Sequence, residues 1–318
     1  DGNRYLDFFG NASSLIHGHA HPAIVSAITE QARRGTAFSL PVESQIQLAG
    51  ILCERIPSAE QIRFVNSGSE AVLLAVKLAR AVTGKPGIVK FEGLYHGCSD
   101  TVEVSLDCGP DAWGADRAPN TVEYTRGTPA GLLDSVTVLP FNDVEAAEAI
   151  LPARAADVAA VVIDVLPSRI GVTPANREWV AAIRRLTREL GILLISDEVV
   201  SFRLDHGGAQ ALYGFDADLT TLGKAIGGGL PVGALAGSRE LMAAFDGSAS
   251  RAAVPNAGTF NANPLTLAAG IAAMSLLTPQ EIERINGMGE SLRARAESAF
   301  EQLGVAAHTS GIGSMFGI

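Results

Sequence analysis

The chain has 318 residues, 47% hydrophobic and 18% charged, which is material for a large core and excludes a disordered chain. A net charge of −10 argues against nucleic acid or an anionic membrane as the main partner. Three cysteines without a CxxC argue against a disulfide framework and for a reducing, cytoplasmic setting, and no apolar run reaches the length of a membrane span.

In order, the sequence opens on a turn, Asp1-Gly2-Asn3, with no signal peptide, as a piece of a longer protein would, and Tyr5 to Phe9 predicts a short strand. His17, His19 and His21 would share one face only in a strand. Gly18 and Pro22 favour a loop of packed or hydrogen-bonded histidines over a metal site. Pro22, with Ile24, Ile28 and Ala32 in helical register, predicts a helix ending near Gly35. Ser44 to Ile56 predicts a second, with Ile46, Ala49 (or Gly50) and Cys53 facing inward.

Gln61 to Val65 predicts a strand that feeds Asn66-Ser67-Gly68-Ser69-Glu70 and then a long apolar helix through Val82, closed at Gly84. Ser67 and Glu70 have capping-box spacing. A strand, a turn of small residues and a helix N-terminus aim free N–H groups and two hydroxyls at one place, so the turn is either a phosphate site or a plain N-cap. It has neither the lysine of a Walker loop nor a GxGxxG pattern. Gly87 to Phe91 is the next strand, and Tyr95 on the loop after it could stack on a planar ring or be an ordinary surface tyrosine. Residues 105–131 read as a long loop.

Strands at Ser135 to Leu139, Ala159 to Val165, Ile192 to Ser196 and Pro231 to Ala236 then alternate with helices at Val144 to Leu151, Arg177 to Leu190 and Arg239 to Phe245. Near-continuous apolar strands in this α/β order predict a mostly parallel sheet covered by helices on both faces. A polar turn over 258–264 precedes a helix through Leu277. Thr278 to Leu303 predicts an amphipathic helix with Ile282, Ile285, Met288 (or Gly289), Leu292, Ala296 and Leu303 inward. The closing GIGSMFGI reads as a strand that enters a part the chain does not contain.

The stretch Ile192 to Gly229 carries the chemistry. A buried strand ends in Asp197, and Lys224 follows 27 positions later among Leu222, Gly223, Ala225 and Ile226. Small and apolar neighbours leave room for a ligand and lower a lysine's pKa, which frees its amine. Such a lysine could hold an aldehyde cofactor as a Schiff base while the aspartate pairs with the cofactor's ring nitrogen; the other reading is a surface lysine before a glycine turn. The remaining lysines, Lys77, Lys85 and Lys90, read as solvated charges. Ligands of parallel sheets bind at the carboxyl ends of strands, and Ser67, Tyr95, Asp164, Asp197 and Lys224 all fall just after predicted strands.

The segments GHAHP (18–22), RFVNSGSEA (63–71), FEGLYHG (91–97), LPFND (139–143), SDEV (196–199), DLTTLGKAIGGGLPVGA (218–234) and GTFNANPL (258–265) span nearly the whole chain. In them the chain resembles the class III (ω-type) aminotransferases, fold-type I pyridoxal-phosphate enzymes, and within them the branch of glutamate-1-semialdehyde aminomutases and β-amino-acid transaminases. The resemblance implies a pyridoxal 5'-phosphate cofactor bound as a Schiff base to Lys224, with Asp197 on the pyridine nitrogen. It also implies Val199 on one ring face and Tyr95 on the other, Gly68 and Ser69 on the phosphate, and Ser67 supporting the turn. Thr259 would reach the phosphate of the other subunit in a homodimer that shares its sites. Residues 1–40 would belong to a small domain, 41–277 to the large cofactor domain, and 278–318 to the start of an incomplete C-terminal small α+β domain.

The implied function is ping-pong transfer of an amino group from an amine or amino acid to a keto acid or aldehyde. An intramolecular aminomutase with the same lysine is the alternative, and a non-catalytic binding protein of the same fold a minor one. Two departures bear on this. Asp164-Val165 stands where the family usually has Glu-Pro, and DEVVSFRL is one residue shorter than the mutases' DEVMTGFRV, which points to a transaminase.

Overall fold

The structure is a computed structural model that describes residues 1–248 and 251–318. In chain order the strands are β1 (Gln61–Val65), β2 (Gly87–Phe91), β3 (Gly114–Ala115), β4 (Ala118–Pro119), β5 (Val136–Leu139), β6 (Val158–Ile163), β7 (Leu193–Asp197), β8 (Leu219–Gly223), β9 (Gly233–Gly237), β10 (Ser310–Ile312) and β11 (Met315–Gly317). Seven of them form one sheet in the order β1-β9-β8-β7-β6-β2-β5. The run from β8 to β5 is parallel throughout, and β9 is antiparallel to both of its neighbours, β1 and β8.

Strand β6 shows why the sequence folds this way. Every residue of VAAVVI is buried. Ala160 and Val162 pack toward the helix Gly68–Thr83, while Val161 and Ile163 pack toward the helices Val144–Arg154 and Arg177–Leu190. A strand covered on both faces has no side for a polar residue, so its sequence is continuous rather than alternating. A further apolar cluster joins the helices Glu43–Arg55 and Pro264–Leu276, through Leu48, Leu52 and Leu267, to Leu222 of β8 and Ala234 of β9. The helix-covered, mostly parallel sheet predicted from sequence is therefore the observed one.

Several local expectations fail for identifiable reasons. Tyr5 to Phe9 forms no strand; its side chains are exposed, and Asp7 instead accepts hydrogen bonds from the Phe9 and Gly10 N–H groups and turns the chain. The C-terminal GIGSMFGI does not leave the molecule as a strand; it folds on itself as the antiparallel hairpin of β10 and β11. Residues 105–131 hold the small hairpin of β3 and β4 and a short helical turn, Pro110–Ala112.

Ile46 is 73% exposed, because the helix Glu43–Arg55 turns Leu48, Leu52 and Arg55 inward. Met288, Leu292 and Leu303 are likewise exposed, while Ile282 and Gly289 are buried, so the inward stripe of the helix Pro279–Leu303 is confined to its first half.

Lys90 is not solvated. It is fully buried in β2, its Nζ donates to the Val104 carbonyl at 2.6 Å, and burial pushes its pKa down to about 7. Lys85 is half-buried and donates to the Ala155 carbonyl at 2.9 Å, and Lys77 is exposed.

Candidate active site

The carboxyl edge of the parallel strands gathers the chemically active side chains. Asp197 ends β7, and its register partner on β8 is Thr221. Thr221 Oγ1 donates to Asp197 Oδ1 at 3.0 Å, and the Val199 N–H donates to the same oxygen at 3.2 Å. Asp197 Oδ2 lies 2.8 Å from His96 Nδ1, and both residues are buried. The carboxylate is thus fixed from three directions. His96 Nε2 is buried with no partner among the described residues.

Lys224 comes directly after β8, three residues beyond Thr221. It has a left-handed backbone (φ 48°), which is costly for a residue with a Cβ and persists only where the surroundings impose it. Burial lowers the pKa of its amine, and the neighbouring Asp197 charge pulls it partly back up. A nucleophilic amine beside a held carboxylate is the arrangement that condenses with aldehydes and carries protons.

The turn after β1 is built for an anion. Ser67 caps the helix Gly68–Thr83, its Oγ accepting from the Glu70 N–H at 3.2 Å. That leaves the N–H groups of Gly68 and Ser69 without partners inside the helix. The loop after β2 closes in from the side, and the Cys98 N–H donates to Ser69 Oγ at 3.3 Å. Gly97 sits so close that a Cβ there would come within 2.7 Å of Ser69 Cα. Val199 packs onto this turn: a Cβ on Gly68 would lie 2.8 Å from Val199 Cγ1, and one on Gly223 3.2 Å from it. Gly68, Val199 and Gly223 therefore meet in one floor between the anion turn and Lys224.

Gly68→Ala is expected to push Val199 out of that floor. Overpacking of this kind costs roughly 1–3 kcal/mol, and cofactor binding should weaken along with stability. Thermal unfolding and a cofactor titration of the variant check this; an unchanged dissociation constant would separate Gly68 from the site.

The structure thus brings Ser67, Gly68, Ser69, Val199, Asp197 and Lys224 to one edge. Tyr95, adjacent to His96, is 43% exposed there and lies under the Arg169 guanidinium, 5.9 Å from ring centroid to Cζ. Thr259 is exposed, and its loop is tied to the anion turn through Asn66 Nδ2, which donates to Asn261 Oδ1 at 2.8 Å.

Sequence reasoning missed His96, although it stands in the same post-strand loop as Tyr95. It also missed Thr221, whose signal was a hydroxyl in a fully buried strand, a polar group that needs a partner. The histidines 17, 19 and 21 do not converge: His17 Nε2 faces the Ala273 carbonyl, His19 pairs with Asp7, and His21 caps the Ala23 N–H.

The residues present fit pyridoxal phosphate. A helix N-terminus with no Cβ at Gly68 and with two free N–H groups suits a phosphate, a held carboxylate suits a pyridinium nitrogen, and the amine suits an aldehyde.

Comparison with known proteins agrees. The Aminotransferase class-III family matches residues 1–318. A curated relative, glutamate-1-semialdehyde 2,1-aminomutase 2 of Brevibacillus brevis, is 40% identical over 317 residues, 99% of this chain and 72% of the relative. Among solved structures, an omega-transaminase from Sphaerobacter thermophilus is 48% identical with a TM-score of 0.95, over 98% of this chain and 71% of that one. A transaminase with PLP bound is 42% identical with a TM-score of 0.91, over 98% and 72% of the respective chains.

Proposed function

The chain belongs to the class III aminotransferases, and from that premise we propose that it moves an amino group through pyridoxal phosphate held on Lys224, within a single molecule, as an aminomutase of the glutamate-1-semialdehyde type. The chain is a pyridoxal-phosphate-dependent enzyme of the fold-type I architecture. The names of its curated relatives support the intramolecular reading better than the intermolecular transamination expected first from the sequence. Intermolecular transfer from an amine or amino acid to a keto acid is the second reading. It is supported by the 48% identical omega-transaminase and by the short DEVVSFRL segment.

One observation carries the shared chemistry: a partly buried lysine amine and a fixed, buried aspartate at the ends of neighbouring strands. When bound, the cofactor supplies an aldehyde for the amine to condense with and a ring that takes up the electron pair left by a departing proton. Lys224 holds the cofactor and, once displaced by the substrate's amine, carries the proton between the two carbons that exchange it. Asp197, oriented by Thr221, Val199 and His96, keeps a positive charge on the ring nitrogen. The N–H groups of Gly68 and Ser69 hold the phosphate, with Ser67 fixing their turn. Val199 would support one side of the ring and Tyr95 would cover the other. Thr259, exposed in this chain, is the residue offered to a second copy's phosphate in a homodimer.

Glutamate-1-semialdehyde supplied alone to the loaded enzyme should be converted over many turnovers to the isomer with its amino group on carbon 1. Single amine donors (alanine, a β-amino acid, 1-phenylethylamine) should be consumed poorly. The reverse outcome, one equivalent of carbonyl product from a donor and no isomer, would establish the intermolecular reading instead.

A further inference from the structure

Two carboxylates stand side by side at the active edge. Asp197 ends β7, and Asp164 is the first residue after β6. The parallel register pairs Ile163 with Ser196, so the next step brings Asp164 abreast of Asp197, about one inter-strand spacing (~4.8 Å) away. Each is 6% exposed. Their hydrogen bonding divides them. Asp197 is met by His96, by Thr221 and by the Val199 N–H. Among the described residues Asp164 accepts one bond only, from the Leu166 N–H to Oδ1 at 2.9 Å. A buried anion needs donors, and two like charges at this spacing in a dry site do not both ionise. The poorly solvated member of such a pair keeps its proton.

We propose that Asp164 is a positioning residue that remains a neutral acid in the resting enzyme, so that Asp197 is the only negative charge turned toward Lys224. The proposal rests on Lys224 being the cofactor lysine. It deepens the function above by naming a second acid that sets the charge of the lysine without touching the substrate.

The surroundings agree. Burial first, and the Asp197 charge second, push the Asp164 carboxyl up to about 8, while Lys224 and the Leu166 N–H pull it down. The other ionisable groups around it are Glu198 beside Asp197, which turns away to the Ala209 and Gln210 N–H groups, and Tyr213, whose hydroxyl donates to the carbonyls of Ala175 and Val165. His96 acts on it only through Asp197.

The sign of the effect follows. Below about pH 8 Asp164 is neutral. As the pH rises through that value its proton passes to solvent, and a second negative charge faces Lys224. That charge favours the protonated form of the nitrogen at position 224, whether free or joined to the cofactor.

Infrared spectra of the pyridoxal-phosphate-loaded enzyme test this directly. Below about pH 8 the wild-type spectrum should contain the carbonyl stretch of a protonated carboxylic acid that Asp164→Asn lacks, and the band should fade as the pH rises. Glu198, whose carboxyl is pushed up to about 7 by burial, contributes an acid band of its own, and Glu198→Gln removes that one alone. Should Asp164→Asn fail to fold, an acid band that survives in Glu198→Gln supports the proposal, and a spectrum without one overturns it.

The donor half-reaction gives a second readout. The pH profile of the wild-type half-reaction should carry an inflection near pH 8 that Asp164→Asn lacks. The same inflection in both proteins overturns the proposal. Borohydride reduction followed by peptide mass analysis separates this inference from its premise. Cofactor trapped on Lys224 with no acid band overturns the role of Asp164 alone, whereas cofactor trapped elsewhere overturns the assignment of Lys224 and the proposal with it.

Discussion

Lys224→Ala is expected to lower turnover by about 10⁴-fold, the upper end of what a positioned proton carrier contributes. No other amine in the chain can take its place. Lys90 is buried in β2 and bonded to the Val104 carbonyl, Lys85 is engaged with the Ala155 carbonyl, and Lys77 is exposed on the helix Gly68–Thr83. The anion turn and Asp197 are untouched by the substitution, so the variant should still take up pyridoxal phosphate, without a covalent link. Steady-state rates and the mass of the borohydride-reduced protein measure the two effects separately. Turnover within tenfold of wild type would show that the amine at 224 does not carry the proton.

Asp197→Asn should cost two to three orders of magnitude in kcat, the range seen when one charge-stabilising group is removed from a reacting centre. An amide has nearly the same shape and can still accept from Thr221 Oγ1 and the Val199 N–H. It carries no charge, so a ring nitrogen beside it has no reason to stay protonated. His96 also loses a charged neighbour in a buried place. The loss should therefore fall on kcat more than on cofactor affinity, and single-turnover rates beside a cofactor titration would separate the two. A variant as fast as wild type would remove Asp197 from the chemistry.

Much of the architecture was legible because buried parallel strands have nowhere to place a polar residue. The run VAAVVI of β6 could only be a strand covered on both faces, and the helix Arg177–Leu190 was bounded by the left-handed Gly191 at its end. The active edge followed from the same logic, since polar residues that break an apolar strand at its carboxyl end gather there. What escaped depended on partners distant in sequence. Lys90 looked like a strand-end cation until the chain at Val104 folded over it. His96 was one residue from Tyr95, but nothing local shows that it meets an aspartate 101 residues away. Tyr5 to Phe9 has the composition of a strand, yet a strand requires a neighbour and the described chain offers it none. Ile46 failed for a simpler reason: it lies outside the helical stripe of Leu48 and Leu52, at whose margin Ala49 and Cys53 do pack.

The fate of the lysines has a practical side. Within these 318 residues one ε-amine is exposed, one is half-covered, one is sealed inside the sheet and one belongs to the active edge. Reagents that decorate surface amines will find few footholds. Coupling to an activated resin through lysine would tether the protein at one or two places near the helix Gly68–Thr83, and stray adducts with free aldehydes would be correspondingly rare. Colour that develops on reconstitution is then a nearly background-free gauge of occupancy at a single position.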